Sequence, residues 1–286
     1  MNFKIRFRRF IAKYFGSVVE LIYGIKFKLI NFNQPPIIIL TPGKVGSSSV
    51  YSTLKNETQN QVFHIHNFSE EGIKKSEIDH LTSNRKSKPL HLIVSKILRK
   101  KLSNYKGKLL IITIIREPIS REISSFFQNT ELHKDVLENR KLEIDIDKAQ
   151  TMLSQELESD ICKSLKEWFD LEIYNNFGID VFSTSFDYEK KYSISQGKNT
   201  SHLLLKMEDL DEVFPKAIQE FLNIDQPIHI TSTNIGDKKH YANIYKDIKG
   251  NIKLKPQKID QIVNSDYFQQ FYAQDQTKIL KKWAED

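Results

Sequence analysis

Lys44 lies in a stretch whose residue types and spacing suit anion chemistry. The stretch is Thr41-Pro-Gly-Lys-Val-Gly-Ser-Ser-Ser49, entered from the apolar run Ile37–Leu40 and left through Val50, Tyr51 and Leu54. A buried strand, a tight glycine-bearing turn and a helix start bring free backbone amides and the positive end of the helix to one point. Gly43 and Gly46 let the backbone approach a ligand closely, Lys44 adds a full charge, and Ser47, Ser48 and Ser49 add hydroxyls. In a triphosphatase loop the lysine follows the second glycine and precedes serine or threonine. Here Lys44 precedes Gly46, and the second apolar run, Leu109–Ile115, ends in Arg116 with no aspartate for Mg²⁺. A cation at that point suits a second phosphate better than a metal.

Two histidines add acid–base chemistry. Along Gln61–His66 the side chains of a strand alternate, so Val62, His64 and His66 share one face. In a parallel sheet His66 would fall at the C-terminal end, where open α/β sheets bind ligands. A neutral imidazole there can take a hydroxyl proton near pH 7. His66 is the first candidate for a base and His64 the second, with Glu70 and Glu71 as the carboxylate alternative; both histidines also read as ordinary strand-end residues.

The elements that must position these groups follow from the hydrophobic pattern. Ile37–Leu40 and Leu109–Ile115 are short, β-branched and flanked by turn or charged residues, as buried parallel strands are. Gln61–His66, Ile179–Phe182 and His202–Met207 read as further strands. Met152–Phe177 has helical spacing through Leu153, Leu157, Ile161 and Leu165, with Trp168 and Phe169 as core and Gly178 placed to end it. Further helices are expected after Gly46, after Pro118, at Glu212–Leu222 and at Phe268–Trp283. Alternation of strands and helices predicts an α/β fold with a central, mainly parallel sheet covered on both faces. Nothing splits residues 35–286 into two domains.

The 286 residues carry a formal charge of +7, which favours an anionic partner without choosing among nucleotide, lipid headgroup, nucleic acid or acidic polymer. The single cysteine, Cys162, excludes an intrachain disulfide and a cysteine-based metal site, and permits a reducing, cytoplasmic setting. Residues 1–34 form a basic extension, with five Lys or Arg and no acid in Met1–Lys13. Its apolar part is interrupted by Lys13, Glu20, Lys26 and Lys28, too often for a spanning helix. An amphipathic helix on the inner face of a membrane and simple packing on the domain both remain open.

With these residues in view, Gly43-Lys-Val-Gly-Ser-Ser-Ser49 resembles the 5′-phosphosulfate loop of sulfotransferases that use 3′-phosphoadenosine-5′-phosphosulfate (PAPS). Arg116-Glu-Pro-Ile-Ser-Arg-Glu-Ile-Ser124, with Phe126 beyond, resembles their 3′-phosphate motif. Leu203–Leu210 is similar to their late strand and turn. The wider pattern resembles a bacterial sulfotransferase-like family of capsular polysaccharide synthesis proteins. In that family Trp168-Phe-Asp170, Phe177–Phe182 and Asn234–Tyr241 have counterparts, although the usual N-K-W-Y-S string reads Lys238-Lys-His-Tyr-Ala242 here. The resemblance covers roughly residues 36–286.

It implies a P-loop-like three-layer α/β/α sandwich, PAPS as co-substrate, no metal, a glycan acceptor and no nucleic acid. Gly43, Lys44, Val45, Gly46, Ser47, Ser48 and Ser49 would hold the 5′ end, with Lys44 balancing charge on the bridging oxygen. Arg116 and Ser124 would hold the 3′-phosphate, both able to face one phosphate because Ser124 lies about two turns into the following helix. Arg121 reads equally as ligand contact or as surface charge. Glu208-Asp209 reads as a helix cap, His202 as a strand residue, and Lys238, Lys239 and Tyr241 as a closing loop or an exposed turn. A nucleotide kinase or triphosphatase, and a non-catalytic membrane-associated capsule assembly protein, are the competing readings.

Overall fold

Ile37–Leu40 (β1) is fully buried along its length, as four consecutive apolar residues require when both faces of a strand are covered. In the computed structural model, which describes residues 16–82, 89–128, 144–231 and 242–285, β1 belongs to a five-stranded sheet. The other strands are β2 (Val62–Ile65), β3 (Leu109–Ile115), β4 (Tyr192–Gln196) and β5 (Thr200–Lys206), in the order β2-β1-β3-β5-β4. The pairs β1–β2, β1–β3 and β3–β5 are parallel, and β4 runs antiparallel to β5 at the edge.

Alternation along the strands feeds two cores. Ile38, Leu40, Phe63, Ile65, Ile111 and Ile115 face one; Ile37, Ile39, Leu110, Ile112, Ile114, Leu203 and Leu205 face the other. The second core is closed by Val50 and Leu54 of α2 (Ser47–Glu57) and by Phe214, Ala217 and Ile218 of α8 (Leu210–Leu222). The first is larger. It takes residues from α4 (Leu90–Leu102), α5 (Pro118–Gln128), α6 (Ile146–Leu157), α7 (Ile161–Phe169), α9 (Ala242–Asn251), α10 (Pro256–Val263), α11 (Asp266–Tyr272) and α12 (Gln276–Trp283). Phe27 of α1 (Gly16–Leu29) also enters it and packs its ring, tilted, against Phe63. A further helix, α3 (Glu70–Thr82), follows β2.

Three expectations need correction. Ile179–Phe182 is a turn, because the Asp180 carboxylate accepts the Phe182 N–H and stops the chain extending. The helical run from Met152 breaks between α6 and α7, where Asp160 caps the new helix by accepting the Lys163 N–H at 2.9 Å. The apolar steps of four continue across the break and hide it. The last helix is likewise interrupted by a tight turn at Ala273–Asp275. Gly178 does end its segment in the left-handed region, at φ 68°.

Candidate active site

The β1–α2 loop folds as a left-handed turn at the C-terminal edge of the sheet, a shape that can cradle an anion. Gly43, Lys44 and Gly46 all have positive φ, at 78°, 64° and 76°. Glycine adopts this freely; Lys44 adopts it at a cost of roughly 1–3 kcal/mol, a strain typical of functional loops. Left-handed residues in such a turn point successive N–H groups toward one spot. Ser49 N–H donates to Gly46 O at 3.2 Å, which closes the turn onto the start of α2. A side chain on Gly43 would come into ordinary contact with the His66 ring, and one on Gly46 would touch Met207, so the positive φ and not crowding is what favours glycine here.

Strand neighbours then bring the predicted residues together. Arg116, at the end of β3 beside β1, donates to the Lys44 carbonyl at 3.1 Å and to Tyr245 Oη at 3.4 Å. Arg121, one turn into α5, donates to Pro42 O at 2.9 Å and pairs with Glu122 at 3.0 Å. Its Nε is buried without a partner among the described residues, as is Thr41 Oγ1. Both cationic side chains thus reach the back of the loop, and Arg121 holds its backbone at Pro42. Glu117 is not at the ligand side: it caps α5 by accepting the Ile119 and Ser120 N–H groups at 2.8 and 2.9 Å.

His64 and His66 take different positions. Ser47 Oγ and His64 Nε2 are 2.8 Å apart, so His64 buttresses the loop. Burial first, then His66 and His91, push its pKa down to about 3. His66 Nδ1 lies 2.9 Å from Thr41 O, and a carbonyl can only accept, so Nδ1 carries the proton. In the neutral ring Nε2 is then the basic nitrogen. Burial lowers the His66 pKa, the Thr41 hydrogen bond opposes this, and Lys44 and Arg121 lower it further, so the neutral form prevails at neutral pH.

Ser124 is half-buried two turns along α5, and no hydrogen bond joins it to Arg116 or the loop among the described residues. Glu70 and Glu71 are exposed on the first turn of α3. Glu208 does not cap α8 but accepts from Glu117 N–H at 2.9 Å and from Tyr272 Oη at 3.1 Å. His202 is buried and bonded to Thr113 Oγ1 at 2.9 Å. Lys238, Lys239 and Tyr241 lie outside the described residues.

Two residues missed in the sequence complete the setting. His91, at the start of α4, packs its ring 5.1 Å from His66, which itself sits 5.1 Å from the His64 ring. Glu172 is fully buried in a π turn, Asp170–Tyr174, that extends α7. Its carboxylate accepts from Phe68 N–H at 2.6 Å, Ser69 N–H at 2.7 Å, Ser69 Oγ at 2.8 Å and Asn67 Nδ2 at 3.3 Å. One turn earlier, Trp168 Nε1 donates to His66 O at 3.0 Å. The segment following β2 is therefore clamped from α7, which fixes where the His66 ring stands. A π turn often marks such sites, but its sequence carries no periodic signal.

None of the curated proteins and none of the solved structures gives a match to the chain. Residues 141–273 match the family model described as "Putative capsular polysaccharide synthesis protein". That segment contributes Trp168 and Glu172, β4 and β5, and the Arg116 partners Tyr245 and Tyr267, but not the 43–49 loop. Over just under half of its length, then, the chain is similar to proteins of capsular polysaccharide synthesis.

Proposed function

We propose that the protein transfers the sulfuryl group of PAPS to a hydroxyl of a glycan acceptor in capsule or related polysaccharide synthesis. The observation that carries the reading is the hydrogen bond from Arg116 to the Lys44 carbonyl. It brings the two stretches proposed to bind phosphate to one edge of the sheet, as a single nucleotide with phosphates on both sides of its ribose requires. On this reading residues 35–286 are one P-loop-like three-layer domain, with the site where strand order reverses between β1 and β3.

The residues present fit such a ligand. The left-handed loop and the first amides of α2 suit a 5′-phosphate, the buried Arg121 Nε awaits an acceptor, and Arg116 supplies a fixed guanidinium for the 3′-phosphate. The donor supplies an activated sulfuryl group, displaced in line with the bisphosphate nucleotide as leaving group. Lys44 opposes negative charge on the leaving oxygen. His66 Nε2 takes the acceptor hydroxyl proton, with Thr41 O and Glu172 holding the ring in the competent tautomer and place. The similarity of residues 141–273 to capsule synthesis proteins supports a polysaccharide acceptor.

Titration calorimetry with 3′-phosphoadenosine 5′-phosphate tests this. Wild type should bind, with Lys44→Ala and Arg116→Ala each weakening affinity by about 10–100-fold. Absence of binding by the intact chain, or Mg²⁺-dependent preference for ATP, overturns the reading.

A further inference from the structure

We infer that α1 docks the protein on an anionic lipid surface through a stripe of apolar side chains turned away from the core. Leu21, Ile22, Ile25 and Leu29 are 63%, 56%, 52% and 78% exposed, whereas Phe27 is 5% exposed and Tyr23 packs against the core. At about 100° per residue the four exposed residues fall within an arc of about 100°, and Tyr23 and Phe27 lie on the opposite side. Lys26 projects about 40° beyond one edge of the arc and Lys28 about 20° beyond the other, while Glu20 points away from it. An apolar stripe bordered on both flanks by lysines matches a bilayer interface, with alkyl side chains in the acyl boundary and ammonium groups at the headgroups.

Charge identifies the partner. The chain preceding the stripe holds five Lys or Arg within Met1–Lys13 and no acid before Glu20. Such a distribution favours anionic headgroups over a neutral apolar protein surface. Among the described residues no helix is long and apolar enough to cross a membrane. The helix would therefore lie in the interface plane, held by its other face through the Phe27–Phe63 contact and the bond from Lys101 Nζ to Lys28 O at 3.3 Å. This inference stands independently of the sulfuryl-transfer proposal.

The full-length Ile25→Cys variant, labelled with an environment-sensitive dye, reports the docking directly. Cys162 is buried and its thiol is pushed up to about 12, so it does not compete for label. The dye should shift to the blue with vesicles of phosphatidylglycerol mixed with phosphatidylcholine, and not with phosphatidylcholine alone. Unlabelled Leu21→Ser/Leu29→Ser protein should lose at least about tenfold in cosedimentation with the anionic vesicles while melting like wild type. An unchanged dye signal or full retention by the double variant overturns the inference. So does a blue-shifted signal without vesicles, which assigns the stripe to a second copy if it depends on protein concentration and to the chain's own residues if it does not.

Discussion

Replacing Glu172 tests whether a single buried carboxylate holds the segment that follows β2. In the Glu172→Ala variant the Phe68 and Ser69 amides lose an acceptor at 2.6 and 2.7 Å in a site closed to solvent. Each orphaned donor costs about 1–3 kcal/mol, so the loss is roughly 3–5 kcal/mol. Glu172→Gln keeps one oxygen for the two amides but gives up the charge and turns an NH₂ toward Asn67 Nδ2, for roughly 1–2 kcal/mol. Gly72 supplies the second half of the experiment. A methyl group there would collide with Glu172 Oε1 and crowd Ser69 Oγ, which already accepts the Gly72 N–H at 2.8 Å. Gly72→Ala therefore destabilises by displacing a carboxylate pinned by four donors, and in the Glu172→Ala background that collision is gone. Urea unfolding of both single variants and the double variant should give a double-variant loss smaller than the sum by at least about 1 kcal/mol. Additivity within about 0.5 kcal/mol, or a Glu172→Ala variant as stable as wild type, would refute the clamp.

Four further outcomes follow from the structure. His66→Asn should cut the turnover of sulfuryl transfer by about 10²–10⁴ while nucleotide affinity changes little, and His64→Asn should weaken nucleotide binding by freeing Ser47. Initial rates should be flat through neutral pH and fall only on the acid side of the ordinary histidine value of 6.5, since the folded His66 pKa is lowered. Burial holds His202 near 3 in the fold against 6.5 when unfolded, so the unfolded chain binds the extra proton across that interval. Stability then rises with pH from about 3 to 6.5 and is lost as pH falls through the same window. His64 adds to the effect, and denaturant midpoints measured across it should be flatter for His202→Asn relative to that variant's own neutral-pH value. Cys162, buried with its thiol raised from 9.0 to about 12, should react with a thiol reagent at pH 8 only on unfolding, about a thousandfold slower while folded.

How far the sequence could be read depended on whether a feature was periodic or local. β1 and β3 were legible because a strand buried on both faces must be apolar throughout, and the runs Ile37–Leu40 and Leu109–Ile115 have no competing pattern. The β1–α2 turn was legible because its glycines are contiguous with the strand and helix they join. β4 was not, since Tyr192-Ser-Ile-Ser-Gln196 is a half-polar edge strand whose partner lies on its own hairpin. Ile179–Phe182 misled for the opposite reason, being apolar yet stopped by one carboxylate. Glu172 and His91 were beyond reach, because satisfying a buried polar group across 103 residues leaves no trace in spacing.

The distinct positions of the two histidines belong to the same class of fact. His66 is the better base candidate because a neighbouring carbonyl fixes its proton on Nδ1, and that carbonyl is Thr41 O, one residue beyond the paired Leu40↔Ile65. A slip of one residue between β1 and β2 would turn the His66 ring to the other face and move Ser47 away from His64. The register is held by Phe63 and Ile65, which must enter the larger core while Val62 meets the smaller one. The hydrophobic pattern that makes β2 a strand therefore also sets which backbone or side-chain partner each histidine ring meets.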